Sequence, residues 1–430
     1  MKKTIRITLL LIFCLCWAGC RPAADQHLSV PPEALIVTGG TIIDGTGAPP
    51  VKDGCVIILK NRILAVGQTA QFNFPDSIRI IDAEGGTILP GIINSHIHHG
   101  ADHAQRRKFL KLGITSVCDL GSSWQEIENA CLDVAVGDPA ARFFYAGPII
   151  TAPGGYPDGL YGTTGFNLEV SNPEEGRKAV RDVLNRGAHV IKIALDPSWN
   201  RKNPLPMLDV ETAAAIAEQA HQAGILVRAH MIQLPYFPLA LEADIDVIEH
   251  MPFPPGWPTE KEIKRYFESA DPLRPFFNEM YPEYDTLLTQ MVEHSIIMVP
   301  TVSALLRDLY GKSELTIHQQ FVVKAVLDII RRFKEAGGII ALGNDFNNRS
   351  IKERMPLTEM KALQDAGFTS MQVIEASTRY AARVCGQENN LGTLEAGKLA
   401  DIIIVEGNPL IEIEALARVK SVILDGKVIF

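Results

Sequence analysis

The stretch Leu89-Pro90-Gly91-Ile92-Ile93-Asn94-Ser95-His96-Ile97-His98 runs through apolar residues and ends on two histidines spaced i, i+2. In an extended chain such residues share a face, so His96 and His98 point the same way while Ile97 points opposite. The expectation is a buried strand that delivers two imidazoles at its end.

Outward from this point the chain alternates apolar runs with helical patterns. The runs recur at Ile114–Cys118, Phe143–Ala146, Val190–Ile193, Ile225–Val227, Val247–Ile248, Ile296–Val299 and Ile339–Leu342. With the segment ahead of His96 they make eight. Between them, Asp209 stands where it can cap a helix whose Val210, Ala213, Ala217 and Ala220 recur at 3-4-3 spacing and which Gly224 ends. Val322, Val326, Ile329 and Phe333 repeat the pattern at 4-3-4 before Gly337-Gly338. Apolar strands alternating with helices imply an α/β fold with a parallel sheet, and eight of them suggest a (β/α)8 TIM barrel. A doubly wound open sheet is the alternative, but no glycine-rich phosphate fingerprint supports it.

The two ends read differently. Ala34–Ile81 breaks into short β-rich runs with Gly-Gly, Asp-Gly and Lys-Asn turn signals, favouring small antiparallel sheets. Asp401–Val405, Ser421–Leu424, an Asp425-Gly426 hairpin turn and Lys427–Phe430 do the same at the other end. The expected organisation is a composite β-sandwich domain from 34–84 and 396–430 around a barrel at 85–395, with 21–33 as a tether.

Residues 1–20 read as a signal peptide. Lys2, Lys3 and Arg6 precede an apolar run from Ile7 to Gly19, interrupted only by Thr8. As a helix that run spans about 20 Å, too short for a bilayer core. Trp17-Ala18-Gly19-Cys20 resembles the lipobox of bacterial lipoproteins, although Trp17 stands where Leu is usual. The expectation is an extracytoplasmic protein anchored to membrane through lipidated Cys20, with periplasmic or secreted protein as the alternative. Cys55, Cys118, Cys131 and Cys385 have no metal-type or framework spacing and read as free thiols.

Composition excludes some partners. The 430 residues carry a formal charge of −9, which loss of the three basic residues in 1–19 makes −12. A nucleic-acid partner needs a basic face, and anionic lipid is disfavoured beyond the anchor itself. A small-molecule substrate is expected, and a homo-oligomer is left open.

Active sites of such barrels lie where the strands end. There stand His96 and His98 after strand one, Lys192 at strand four, His230 after strand five, His250 after strand six and Asp345 after strand eight. Singly, each has an ordinary structural explanation: a bonded core histidine, a turn-capping aspartate, a lysine reaching a rim. Together they form an N/O donor set suited to Zn²⁺, Mn²⁺ or a similar cation.

Here the chain resembles the amidohydrolase superfamily. The 89–98 run looks like that superfamily's entry motif, with Asn94 where Asp is commoner. Leu394-Glu395-Ala396-Gly397-Lys398-Leu399-Ala400-Asp401, followed by Gly407-Asn408-Pro409-Leu410, looks like its return into the β-domain. The order His-x-His, Lys, His, His, Asp is similar to the binuclear subtype. Lys192 in Ile-Lys-Ile and His250 in Ile-Glu-His point to the imidazolonepropionase-like and Xaa-Pro dipeptidase-like branch.

The resemblance implies two divalent metal ions, zinc the expected pair, bridged by N6-carboxylated Lys192. His96, His98 and Asp345 would complete one site; His230 and His250 would complete the other. Asp345 would also be catalytic, moving a proton from activated water to the leaving nitrogen. His99 and His103 flank the motif as surface or supporting residues.

Substrate is less legible. Thr151-Ala152-Pro153-Gly154-Gly155-Tyr156-Pro157-Asp158 resembles the branch's Gly-Gly-His-Gly-Asp loop, with Tyr156 for the His and Pro157 for the Gly. Ile232 stands where related dipeptidases have Tyr, and Tyr380 where many relatives have Asn. Tyr156 and Arg228 are the candidate substrate contacts; an interior salt bridge or a solvated base is the other account of Arg228. The insertion Met251–Tyr284 is rich in aromatics, which suits an apolar lid, a packing cluster or a subunit contact equally. The resulting expectation is amide C–N hydrolysis. Ester or lactone hydrolysis at the same site is one alternative, and a non-catalytic surface binding protein is another.

Overall fold

The computed structural model describes residues 28–134, 138–157, 165–197, 204–253, 259–267, 273–306, 309–347 and 354–430. The signal segment, most of the tether, residues 158–164 of the Tyr156 loop and Trp257 of the aromatic insertion lie outside them.

Two parallel sheets form the middle of the chain. One orders Arg142–Tyr145, Ile114–Asp119 and Ile92–Ile97. The other orders Asn167–Glu169, Ile149–Thr151, Ile191–Ala194, Val227–His230, Val247–Glu249, Ile297–Val299 and Ile339–Ile340. Backbone hydrogen bonds link the sheets at both sides. His189 N donates to Tyr145 O at 2.9 Å, and Ser95 N to Leu342 O at 3.1 Å. His98 N donates to Phe346 O and Asp345 N to His96 O, at 2.7 and 2.9 Å. The result is a TIM-barrel-like α/β fold.

Local chemistry explains the helices. Asp209 accepts from Thr212 N at 2.7 Å and starts Val210–His221, which Gly224 follows at φ 70°. Thr316 and Gln319 form a reciprocal cap on Ile317–Glu335, whose Val326, Ile329 and Phe333 are buried. Strand five differs from the expected Ile225–Val227. It runs Val227–His230, in register with Ile191–Ala194, so His230 closes the strand itself.

Both chain ends enter one eight-stranded sheet. Its order is Lys427–Val428, Val419–Leu424, Ile402–Val405, Thr87–Pro90, Leu35–Ile42, Val51–Leu59 and Arg62–Gln68, with Arg79–Asp82 also on Leu35–Ile42. It is mixed rather than purely antiparallel. Leu35–Ile42 runs parallel to both Arg79–Asp82 and Thr87–Pro90, because the intervening strands return the chain to its starting direction. Apolar clusters cover both faces, around Val37, Val56 and Ile402 on one and Ile36, Cys55 and Ile57 on the other. Asp425 and Gly426 turn the last hairpin at φ 54° and 71°, the left-handed pair such a turn requires.

Candidate metal centre

His96 and His98 leave the end of strand Ile92–Ile97 with ring centroids 5.4 Å apart. Opposite them, Asp345 sits at φ 52° and its amide is tied to His96 O. Asp345 Oδ1 lies 3.1 Å from His98 Nε2 and 3.5 Å from His96 Nε2. Ligand-capable atoms of all three residues fall within 4.8 Å of one another. Burial pushes the Asp345 carboxyl up, but His96 and His98 outweigh it and hold the group well below the usual carboxylate range.

His230 Nδ1 and His250 Nε2 face each other at 2.9 Å. The His250 ring lies 5.5 Å from that of His96, so it joins the two groups of imidazoles. Strict alternation would turn His250 away from its predecessor's side; a φ of 75° brings it round. Lys192 pairs in register with Arg228 and is buried. Burial lowers its ammonium to about 8, against the pull of Glu249 and with the push of Arg228. Burial depresses the basicity of His96, His230 and His250, and the Lys192 charge adds to it in each case. The six expected ligands thus divide into the His96, His98 and Asp345 cluster and a buried Lys192, His230 and His250 set beside it.

The donor set fits divalent cations. Lys192 Nζ and His230 Nε2 are buried with no hydrogen-bond partner among the described residues. Imidazole and carboxylate donors of this kind match zinc-like ions. Leaving such atoms unpaired in the interior is otherwise unfavourable.

Glu249 had no assigned role in the sequence. It is fully buried, with Oε2 2.6 Å from His96 Nδ1 and Oε1 2.6 Å from Arg228 Nε. Burial raises the Glu249 carboxyl, but Arg228 and His96 reverse this and keep it ionised. A carboxylate on Nδ1 orients the ring and leaves Nε2 toward Asp345. An acidic residue inside the apolar run Val247-Ile248-Glu249 was the available signal. Arg228, a candidate substrate contact, instead takes the interior ion pair. It is wholly buried and also donates to Val384 O at 3.1 Å, so it influences the site through Glu249.

Tyr156 stacks on His230, with centroids 3.7 Å apart and planes 10° from parallel. Its loop is held by Gly154 N donating to Glu169 Oε1 at 2.9 Å. Two further carboxylates fasten neighbouring loops. Asp119 Oδ2 accepts from Gly100 N at 2.5 Å, just beyond His98; Asp196 Oδ2 accepts from Ile232 N and Gln233 N at 2.8 and 2.7 Å. Tyr380 packs on a buried cluster of Val247, Ile297 and Val299. Described aromatics of the insertion form a packing cluster. Phe276 meets Phe277 at 5.2 Å, Tyr266 at 5.8 Å and Phe321 of helix Ile317–Glu335 at 5.1 Å, all buried.

Comparison with known proteins adds three relationships and a family. The amidohydrolase family profile matches residues 87–429. Ochratoxinase of Aspergillus niger is 24% identical over 91% of this chain and 85% of its own length. Imidazolonepropionase of Symbiobacterium thermophilum is 24% identical, covering 87% of this chain and 91% of that one. The crystal structure of a Xaa-Pro dipeptidase with methionine in its active site superposes with a TM-score of 0.71 at 23% identity, over 92% of this chain and 99% of that one.

Proposed function

Because the chain belongs to the amidohydrolase family, we propose that it is a binuclear metal-dependent hydrolase cleaving an amide C–N bond in a peptide derivative or cyclic amide. The convergence of His96, His98 and Asp345, beside a buried Lys192 amine that has no hydrogen-bond partner among the described residues, carries the reading. His96, His98 and Asp345 would hold one cation and His230 and His250 the other, with N6-carboxylated Lys192 shared between them. Zinc is the expected metal. When bound, the pair activates water and polarises the scissile carbonyl.

The remaining work falls to the chain's own groups. Lys192, lowered to about 8, has a neutral fraction near neutral pH that can add CO2, forming the N–C bond of a carbamate and releasing one proton. Asp345, held ionised, takes a proton from the attacking water and delivers it to the leaving nitrogen. Glu249 keeps His96 in one orientation. Tyr156 covers one face of His230 and shields it from water. The same proposal takes 85–395 as a closed (β/α)8 barrel, 34–84 with 396–430 as its β-sandwich domain, and Cys20 as an extracytoplasmic lipid anchor.

Elemental analysis of the purified chain tests the centre. About two metal equivalents are expected, with loss of both on Lys192→Ala. Asp345→Asn should lower amide turnover by about 10²–10⁴-fold. Unchanged hydrolysis of a panel of blocked dipeptides, cyclic amides, esters and lactones by Asp345→Asn would show the mechanism to be wrong. Preference for esters or lactones over amides would redirect the substrate class.

A further inference from the structure

Beyond the ligand set, one buried carboxylate stands behind the cluster without touching it. Glu359, on helix Leu357–Asp365, is fully buried. Its Oε1 accepts from Val302 N at 2.9 Å and its Oε2 from Ser303 N at 2.8 Å. Those amides belong to the turn that follows strand Ile297–Val299, and the residue before them is Thr301. Thr301 sits at φ 50°, in the left-handed region that a β-branched residue rarely adopts. In this conformation its Oγ1 lies 2.6 Å from His250 Nδ1. The same strand end is tied to His250 a second time, through His250 N donating to Val299 O at 2.8 Å.

We infer that Glu359 is a positioning residue for His250, acting through the turn it clamps and the Thr301 hydroxyl. This rests on the proposed role of His250 at the metal centre. Thr301 O also accepts from Ala304 N and Leu305 N, at 3.0 and 3.2 Å, but these bonds hold the backbone alone. Without two acceptors facing the two consecutive amides, the left-handed turn loosens and the Thr301 hydroxyl moves out of reach. With the turn closed, the Thr301 oxygen accepts the Nδ1 proton. Nε2 then remains the bare nitrogen, and it is Nε2 that faces His230 Nδ1 at 2.9 Å. Glu359 thereby fixes both the orientation and the tautomer of one ligand.

The test reads the tautomer directly in metal-free protein. Long-range ¹H–¹⁵N spectra of ¹⁵N-histidine-labelled chain at pH 8 identify His250 by comparison with His250→Gln. The expected result is a single Nδ1–H tautomer in the native chain and in Thr301→Ser, and a mixed population in Thr301→Val, Glu359→Gln and Glu359→Asp. The shorter Glu359→Asp keeps the charge but does not span both amides, and it serves if the glutamine variant fails to fold. After zinc loading, retention against a chelator should fall about 10–100-fold in the three disruptive variants and stay near native in Thr301→Ser. A lowered melting temperature with the native tautomer and native zinc retention would overturn the inference, reducing Glu359 to a turn clamp. Failure of the native chain to bind zinc would count against the proposed function, while the metal-free spectra would still decide the role of Glu359.

Discussion

At His250 a buried imidazole lies 2.9 Å from a second one, and burial lowers its basicity to about 3 against the opposing charge of Asp345. His96 and His230 are shifted in the same direction, also chiefly by burial. The consequence for stability has a definite sign. In the unfolded chain each imidazole gains a proton below about pH 6.5. In the folded, metal-free chain His250 stays neutral until about pH 3. The stability this group contributes is therefore complete above pH 6.5 and is lost as pH falls toward 3, at up to about 1.4 kcal/mol per pH unit. Urea unfolding of the EDTA-treated chain should show its midpoint dropping between pH 6.5 and 5, above the carboxylate range. His250→Gln should make that decline shallower by about one proton. Burial raises the Glu359 carboxyl to about 7, which opposes this decline by about one proton. A midpoint still flat in Glu359→Gln would contradict the burial of neutral histidines.

Between elements, a branched ion pair joins an inner strand to the terminal sheet. Arg142, at the start of Arg142–Tyr145, donates from Nε and Nη2 to the two oxygens of Asp401 at 2.6 and 2.9 Å, and to Asp425 Oδ1 at 3.0 Å. Asp401 also accepts from the Asp425 amide at 2.8 Å, which fixes the last hairpin. The aspartate that closes the Leu394–Asp401 tail motif thus has a structural task, gripping the middle of the chain from its end. Asp401→Asn should cost roughly 2 kcal/mol, less than a fully buried pair because the Arg142 side chain is 24% exposed. Amide turnover should be retained, since neither residue approaches the ligand cluster. Chemical denaturation together with initial rates checks both halves; equal losses of activity and stability would place this pair in the catalytic machinery.

For the molecule as a whole, the terminal sheet and the inner strands are continuous. Only Gly91 separates Thr87–Pro90 from Ile92–Ile97, and a Cβ there would meet Thr115 Oγ1 at 2.1 Å, so the junction requires glycine. Ile402–Val405 pairs along Thr87–Pro90 and carries Val419–Leu424 beside it. Deleting 396–430 strips Thr87–Pro90 of that neighbour and uncovers Ile88, which is fully buried. The full-length chain should unfold in one transition by circular dichroism and fluorescence alike, whereas the shortened chain should show none. A shortened chain that melted cooperatively at the native midpoint would mean that the C-terminal strands are dispensable to the inner sheets.

Some of this was already decided by neighbours along the chain. Alternation of period two placed His96 and His98 on one face. The cap chemistry of Asp209 and the Asp425-Gly426 turn appear where local propensity put them. These are short-range effects, carried by a few consecutive dihedral angles. The tertiary structure decided which distant groups meet. Glu249 reaches His96 across 153 positions, and Asn94 bonds Asn344 across 250. It also decided where alternation breaks, at the left-handed backbones of His250, Thr301 and Asp345. Arg228 could face substrate or a buried carboxylate on periodicity alone. Its pairing with Glu249 follows from strands Val227–His230 and Val247–Glu249 lying side by side in register. Propensity determines the elements and the direction of their side chains; the partner a buried charge acquires depends on which strands become neighbours when the chain folds.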